Sequence, residues 1–266
     1  MIKTIIILSI LTIIIFILLI IIFTKKYNEI EENDKKYFQI FKKGNKIFSK
    51  LINNNLLEEP NTKKNKILFL SFDNRTNISY ITKHNENVDK YVKKYNYEYK
   101  FITKCFYNVY WCKILLVLEE LRTNKYDYVV WLDTDTAIQN MDIDINDIIN
   151  KYDSDIFVGN DNTTTTDTIN SGIFIIKNSD NGINFLQDCI NNVKNKCFKE
   201  NNGLNGKWAG YCYEQGQMNL LIAMKYSKNT TVLLNNIFFN YHICSNDTFI
   251  MHFYNTKNKN RDSCFE

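Results

Sequence analysis

Short apolar runs alternate with stretches of helical spacing from residue 66 to near the end of the chain. A short apolar run is typical of a buried strand, whereas apolar residues that recur every three or four positions indicate one face of a helix. Their alternation predicts a doubly wound, mostly parallel α/β sheet. Strands are predicted at 67–72, 97–103, 126–132, 155–158, 172–176, 232–234 and 249–252, and helices at 88–95, 109–122 and 218–224.

The first part of the chain has a different pattern. Residues 4–23 carry no charge and are almost all Ile, Leu and Phe. As a helix this run spans about 30 Å, which is the thickness of a bilayer core. A signal peptide would have a small-residue cleavage site, and none follows the run. A buried core helix is the remaining alternative, but we predict a transmembrane signal anchor because the run has no interruption.

The span divides the chain into four predicted parts. Residues 1–3 form a short cytosolic tail, 4–23 the anchor, 24–65 a polar stem and 66–266 the catalytic domain. Lysines flank the span on both sides, so the positive-inside rule gives no firm orientation. The very short tail favours a single-pass type II protein that faces the lumen of the endoplasmic reticulum or Golgi.

Composition excludes several classes of function. Hydrophobic residues make up 45% and charged residues 23% of the chain, so wholesale disorder is excluded. With only 8 Gly, a glycine-rich phosphate loop is not expected. A net charge of +4 is too small to favour a nucleic-acid partner. The 7 cysteines show no zinc-site spacing; in a lumen some would pair and at least one would stay free.

The most informative segment lies at the end of the third predicted strand, where Asp133 and Asp135 directly follow an apolar run. Ligands of open α/β sheets bind at the carboxyl ends of strands. Two carboxylates there repel each other unless a cation lies between them. Mg²⁺ and Mn²⁺ prefer oxygen ligands and commonly bridge carboxylates to phosphates. The chain has two further pairs with this spacing, but neither follows a strand: Asp142/Asp144 and Asp153/Asp155.

The segment 131–138, WLDTDTAI, resembles the D-x-D segment of GT-A-fold glycosyltransferases that use nucleotide sugars, and most closely glycosyltransferase family 34. This family contains galactosyl-, mannosyl- and xylosyltransferases of the Golgi. The resemblance covers about 66–259 and implies a GT-A fold. Further segments that resemble the family, in the same order, are 87–101, Trp111 with Lys113-Ile114, 170–178 (NSGIFIIKN), Glu214-Gln215, and His252-Phe253 with Lys257.

The resemblance implies a metal and donor site. Asp133, Asp135 and His252 would hold the divalent cation, with Mn²⁺ favoured over Mg²⁺ by the imidazole ligand. Lys257 would meet the diphosphate and stabilise the leaving group, and Lys113 would face the nucleotide-sugar donor. Two alternatives remain open: His252 as an ordinary core residue, and a solvated tail that contains Lys257, Lys259 and Arg261.

The resemblance also implies a sugar pocket. Asn170, Ser171 and Gly172 would line it, and Glu214 and Gln215 would lie near the reacting anomeric carbon as catalytic residues. Glu214 could equally be a carboxylate that favours the start of a helix. Asn255 replaces the glycine of the family's H-F-x-G segment, which puts the diphosphate contacts in doubt.

The predicted function is metal-dependent transfer of a hexose from UDP-galactose, or from GDP-mannose, to a glycan or glycoprotein acceptor, with retention. Two alternatives come from other classes. One is a non-catalytic, membrane-tethered sugar-binding protein. The other is a haloacid-dehalogenase-type phosphatase, which also places D-x-D after a strand. That class, however, has Thr or Val where this chain has Ala137, and it carries the motif on the first strand of the domain rather than the third.

Overall fold

The computed structural model describes residues 2–51, 54–75, 77–161, 168–241, 247–254 and 261–265, and it describes no side chains within 2–10 and 36–50. The helices are α1 (Ile2–Lys50), α2 (Ser79–Tyr95), α3 (Cys112–Arg122), α4 (Ile145–Ile149), α5 (Asp180–Asn192) and α6 (Glu214–Leu221). The strands are β1 (Ile67–Phe72), β2 (Glu98–Ile102), β3 (Tyr128–Leu132), β4 (Thr136–Ile138), β5 (Ile156–Asp161), β6 (Thr168–Lys177), β7 (Thr230–Leu233), β8 (Phe238–Asn240) and β9 (Ile250–His252).

Six strands form the main sheet in the order β2-β1-β3-β6-β5-β7. β1 pairs in parallel with β2 and β3, and β5 pairs in parallel with β7. β6 runs antiparallel to both of its neighbours, β3 and β5. A second sheet has the order β4-β9-β8. The predicted α/β class with a mostly parallel sheet is confirmed.

Side chains of the main sheet alternate between two hydrophobic cores. On β1, Leu68 and Leu70 pack with residues of α3, α5 and α6. The intervening Ile67 and Phe69 pack with residues of α2, α4 and the second sheet. Because both faces of the sheet are covered, its central strands contain continuous apolar runs, as in residues 67–70 of β1, the whole of β3 and residues 172–176 of β6.

β6 runs antiparallel to its neighbours, whereas an all-parallel sheet would have every strand in the same direction. Nine of its ten residues are buried, and its second half, 172–176, is an unbroken apolar run. Such a run predicts burial on both faces but says nothing about direction, which depends on the connections to neighbouring strands. β6 also begins at Thr168, before the predicted start at 172.

α1 is the longest helix described, from Ile2 to Lys50. Within the described residues, Leu11–Lys35 is the one segment long and apolar enough to cross a membrane. The apolar side chains described from Leu11 to Phe23 are exposed, but those of Ile30 and Asp34 are buried against the rest of the chain. The predicted stem also contacts the domain, since the backbone N–H of Leu57 and that of Asn61 donate hydrogen bonds across to the chain after α4.

Among the described residues, disulfides join Cys105 to Cys112 and Cys197 to Cys212. Cys264 is also disulfide-bonded. Cys189, on the buried side of α5, is a free thiol. The described residues therefore contain both paired and free cysteines.

Candidate active site

Asp133 and Asp135 lie where the two sheets meet. The backbone N–H of Asp133 donates to the carbonyl of Gly172 at 2.8 Å, which continues the β3–β6 pairing by one residue. A tight turn follows, because the N–H of Thr136 donates to the Asp133 carbonyl at 3.1 Å. The N–H of Phe253 donates to the Asp135 carbonyl at 3.0 Å, which ties the turn to β9. The two carboxylates are thus held by backbone hydrogen bonds.

His252, the last residue of β9, lies beside this pair. Its Nε2 is 3.2 Å from Asp135 Oδ1, and its Nδ1 is 3.0 Å from Asn240 Oδ1. The amide nitrogen of Asn240 donates to the carbonyl of Asn160, so the amide oxygen faces the imidazole. Nδ1 must therefore carry a hydrogen, which leaves Nε2 directed at the carboxylates, as in histidines that bind metals.

These three side chains fit a divalent metal ion. One ligand atom each from Asp133, Asp135 and His252 lies within 4.8 Å of the others. Two carboxylate oxygens and an imidazole nitrogen are a donor set suited to Mn²⁺ more than to Mg²⁺. The structure brings the three predicted ligands together; which ion binds there stays a prediction.

Gly172 contacts the imidazole of His252 so closely that no side chain fits there. A Cβ added at Gly172 would lie 2.7 Å or less from three atoms of the ring. We expect Gly172→Ala to displace His252 and to weaken Mn²⁺ binding by about tenfold to a hundredfold, as changes next to a metal ligand do. Titration calorimetry with MnCl₂ measures this change.

Gly203→Ala is the matched control, because its added Cβ would meet only exposed side chains, those of Asn201 at 3.1 Å and Lys199 at 3.4 Å. Unchanged Mn²⁺ affinity in Gly172→Ala would show that His252 does not bind the ion.

Arg261 also contacts Asp135, with 3.2 Å between its guanidinium and Oδ2. Its side chain is only 12% exposed, so the alternative of a solvated tail is wrong for Arg261. Burial acts to raise the pKa of Asp135, but the charges of His252 and Arg261 outweigh it and hold that pKa well below its ordinary value. The carboxylate is therefore ionised at neutral pH. Lys257, Lys259 and Asn255 lie outside the described residues.

The side chain of Lys113, in the first turn of α3, extends into the same site. Its Nζ donates to Asp133 Oδ2 at 2.9 Å and to the carbonyl of Ser171 at 3.2 Å, and it lies 3.6 Å from Glu214 Oε1. The indole N–H of Trp131 donates to the other oxygen of Asp133 at 2.7 Å. Asp133 is thus fixed by two donors, and the Lys113 charge is shared between two carboxylates.

The charges in this cluster shift one another's pKa. Burial acts to lower the pKa of Lys113, but the charges of Asp133 and Glu214 outweigh it and the pKa is raised. Burial raises the pKa of Glu214. The charge of Lys113 acts to lower that pKa but is outweighed, and the charge of Asp133 acts to raise it further. Glu214 is 4% exposed, and its Oε2 has no hydrogen-bond partner among the described residues. One carboxylate oxygen of Glu214 is therefore buried without a described hydrogen-bond partner.

The start of β6 and the start of α6 are joined by side-chain hydrogen bonds. The hydroxyl of Ser171 donates to Glu214 Oε1 at 3.1 Å, and its backbone N–H donates to Gln215 Oε1 at 3.1 Å. Asn170 Oδ1 accepts from the N–H of Gly172 at 2.8 Å. The structure therefore places the five predicted sugar-pocket residues in one hydrogen-bonded wall.

One cavity of about 710 Å³ contains nearly all of the predicted site residues. Its lining includes Asp133, Asp135, His252, Lys113, Asn170, Ser171, Gly172, Glu214 and Gln215. Sequence analysis missed the aromatic part of this lining, which consists of Tyr110, Trp208, Tyr213 and Tyr254. No pattern in the sequence marks these residues, because they come from loops that are far apart along the chain.

A second cavity of about 560 Å³ adjoins the first. It shares Lys113, Asp133 and Asp135 with the first cavity and adds Asp73, Arg75 and Arg261. Asp73 accepts hydrogen bonds from the Arg75 guanidinium at 2.7 Å and from the hydroxyl of Thr134 at 2.7 Å. Its three cations each pair with one of its three carboxylates. A divalent ion bound to the carboxylate pair would give this side the net positive charge that favours an anionic ligand.

A solved structure of a glycosyltransferase shares this fold. A glycosyltransferase involved in the glycosylation of the major capsid of PBCV-1 aligns with a TM-score of 0.58 and 14% identity, over 75% of this chain and 98% of that chain. The glycosyltransferase GlyE of Streptococcus pneumoniae TIGR4 aligns with a TM-score of 0.47 and 11% identity, over 76% of this chain and 60% of that chain.

Comparison with curated proteins finds no match. The family model described as nucleotide-diphospho-sugar transferase matches residues 62–261, which is most of the chain and contains the whole carboxylate site. The chain therefore belongs to the nucleotide-diphospho-sugar transferase family and is a glycosyltransferase.

Proposed function

We propose that this glycosyltransferase moves a hexose from a nucleotide-diphosphate sugar to a glycan or glycoprotein acceptor, in a metal-dependent reaction that retains the anomeric configuration. The observation that carries the proposal is the meeting of Asp133, Asp135 and His252 in one cavity with the wall formed by Glu214 and Gln215. Family membership supports the nucleotide-sugar donor.

On the donor side, Asp133, Asp135 and His252 would hold Mn²⁺, or Mg²⁺. The ion would supply positive charge to the diphosphate leaving group. Arg261 and Lys113 add two cations, and both are kept in place by the same carboxylates. Preorganised charge of this kind stabilises a developing anion without reorganisation during the reaction.

On the transfer side, the free oxygen of Glu214 and the amide of Gln215 would face the transferred sugar. The hydrogen bonds from Ser171 to Gln215 and Glu214 hold β6 close to this position. The buried, negatively charged Glu214 would stabilise positive charge at the anomeric carbon. Both a covalent intermediate and a front-face reaction are compatible with this placement.

The finer assignment follows the resemblance to glycosyltransferase family 34. We propose a UDP-hexose such as UDP-galactose as the first donor to test and GDP-mannose as the second. Residues 1–3, 4–23, 24–65 and 66–266 would be tail, membrane anchor, stem and catalytic domain. The exposed apolar helix supports the anchor. The disulfides support a lumenal position in the Golgi or endoplasmic reticulum, because disulfides persist in oxidising compartments.

Release of free nucleotide from a panel of sugar nucleotides, measured with full-length protein, tests the proposed function. We expect UDP release from UDP-galactose, or GDP release from GDP-mannose, that requires Mn²⁺ and stops when EDTA is added. Retention is checked by the NMR coupling constant of the new anomeric proton. Sugar binding with no nucleotide release from any donor would contradict the proposal and indicate a non-catalytic sugar-binding protein.

A further inference from the structure

Three aromatic rings form a cluster in one wall of the active-site cavity. The ring centroids of Tyr110 and Trp208 are 5.2 Å apart, those of Trp208 and Tyr213 5.1 Å, and those of Tyr110 and Tyr213 5.2 Å. All three pairs meet edge to face, which is a favoured geometry for aromatic rings. Trp208 is nevertheless 67% exposed, so much of the indole is available to a ligand.

The loop that carries Trp208 is held in place by α1. The buried carboxylate of Asp34 accepts hydrogen bonds from the backbone N–H of Lys207 at 2.9 Å and from that of Tyr211 at 3.0 Å. The backbone of Gly206 and Gly210 approaches it so closely that an added Cβ would lie 2.9 and 2.7 Å from its oxygens. The conformation around Trp208 is therefore fixed from outside the cavity.

Only part of the cluster adjoins the side of the site that contains Arg75 and Arg261. Tyr110 and Trp208 line both cavities, whereas Tyr213 lines only the one that contains Glu214 and Gln215. The cations Arg75 and Arg261 lie in the other cavity. A diphosphate is expected in the cavity that contains Arg75 and Arg261. Tyr213 would then lie beyond the transferred sugar, on the side away from the diphosphate.

We propose that Tyr110, Trp208 and Tyr213 form the acceptor subsite and bind a pyranose ring of a glycan acceptor by stacking. This inference rests on the proposed glycosyltransferase function. Aromatic side chains combine a large apolar face with polar atoms at the edge, which matches a pyranose with its C–H face and its rim of hydroxyl groups. The polar groups of Asn170 and Tyr254, which line the same cavity, suit those hydroxyl groups.

The ratio of sugar transfer to donor hydrolysis tests the subsite. The probe is a panel of methyl galactoside, methyl glucoside and methyl mannoside, with nucleotide release followed in the presence and absence of each. We expect Trp208→Ala to lower the ratio about tenfold, which corresponds to about 1.4 kcal/mol of lost binding. Phe106→Ala is the matched control, because Phe106 is an aromatic residue 97% exposed outside both cavities, and we expect it to keep the wild-type ratio.

A second variant tests the loop that carries Trp208 without changing any of the three aromatic residues. Asp34→Ala is expected to lower the ratio in the same direction as Trp208→Ala, and Asp34→Asn to restore part of it, since an amide oxygen still accepts one hydrogen bond. Glu31→Ala on the same helix is the control, because Glu31 forms only an exposed pair with Lys35. Asp34 is a positioning residue, so a general loss of stability would lower transfer and hydrolysis together and leave the ratio unchanged.

Three results would overturn the proposal. If the transfer-to-hydrolysis ratio in Trp208→Ala equals that of the wild-type protein, whether both rates are kept or both fall, the rings do not bind the acceptor. If the wild-type protein responds to none of the pyranosides, the cluster is not an acceptor subsite for a pyranose. If the wild-type protein releases no nucleotide from any donor, the proposed function itself fails, and that result is distinct from the other two.

Discussion

Asp135→Asn is expected to lower the rate of nucleotide release by about a thousandfold, the loss typical of removing one charged or polar group from a preorganised site. Asp135 faces His252 on one side and Arg261 on the other, so an amide would leave two cationic or metal-binding groups without their carboxylate. We therefore expect the bound ion to be lost as well. Steady-state release of UDP or GDP and calorimetric titration with MnCl₂ measure the two effects.

The chain offers a matched control for this variant. Asp142→Asn changes an aspartate of another D-x-D triplet, whose side chain is 90% exposed and pairs with Lys94 at the surface. We expect its activity and Mn²⁺ affinity to equal those of the wild-type protein. Asp135→Asn that retained Mn²⁺-dependent activity would remove this residue from the proposed metal site.

Lys113→Met is expected to lower the free energy of unfolding by about 3–5 kcal/mol, because it removes one partner of a buried ionic group. The Lys113 side chain is only 8% exposed, and its ammonium is the cation that contacts both Asp133 and Glu214. Without it, two carboxylates lie close together in a buried site. Urea unfolding of the full-length protein in detergent, followed by circular dichroism, measures the change.

Two further variants separate lost charge compensation from lost packing. Lys113→Met combined with Glu214→Gln is expected to recover part of the stability, because the second change removes one of the uncompensated charges. Lys93→Met is the surface control: Lys93 is 73% exposed and pairs with Asp89 one helical turn away, so we expect a change below about 1 kcal/mol. A double variant no more stable than Lys113→Met would contradict this explanation.

The sequence predicted the parts of the site that follow regular patterns. Asp133 and Asp135 stand directly after an apolar strand, so the strand itself indicates where they lie. His252 was assigned by resemblance, and the β4–β9 pairing explains its place, because Thr136 and His252 are directly opposite each other. The short strands β4 and β8 have three residues each, too few to show a period in the sequence.

The site residues that were not predicted from the sequence have environments that depend on segments far away along the chain. Arg261 follows a run of polar residues and has the local pattern of a solvated tail, yet it contacts Asp135. Asp34 is one charge among many in the predicted stem, yet it is 3% exposed because the loop after residue 206 surrounds it. Trp208 and Tyr110 meet only through tertiary packing.

The attachment of α1 to the rest of the chain limits the distance from the membrane at which the enzyme can act. If residues 4–23 cross the bilayer, Ile30 lies only about 10 Å along the helix beyond Phe23, since seven residues rise 1.5 Å each. Ile30 packs with Cys197 and Cys212, so the domain is docked there rather than swinging on a flexible tether. Sugars close to the membrane surface would then be within range, whereas acceptors deep in the lumen would have to approach the bilayer.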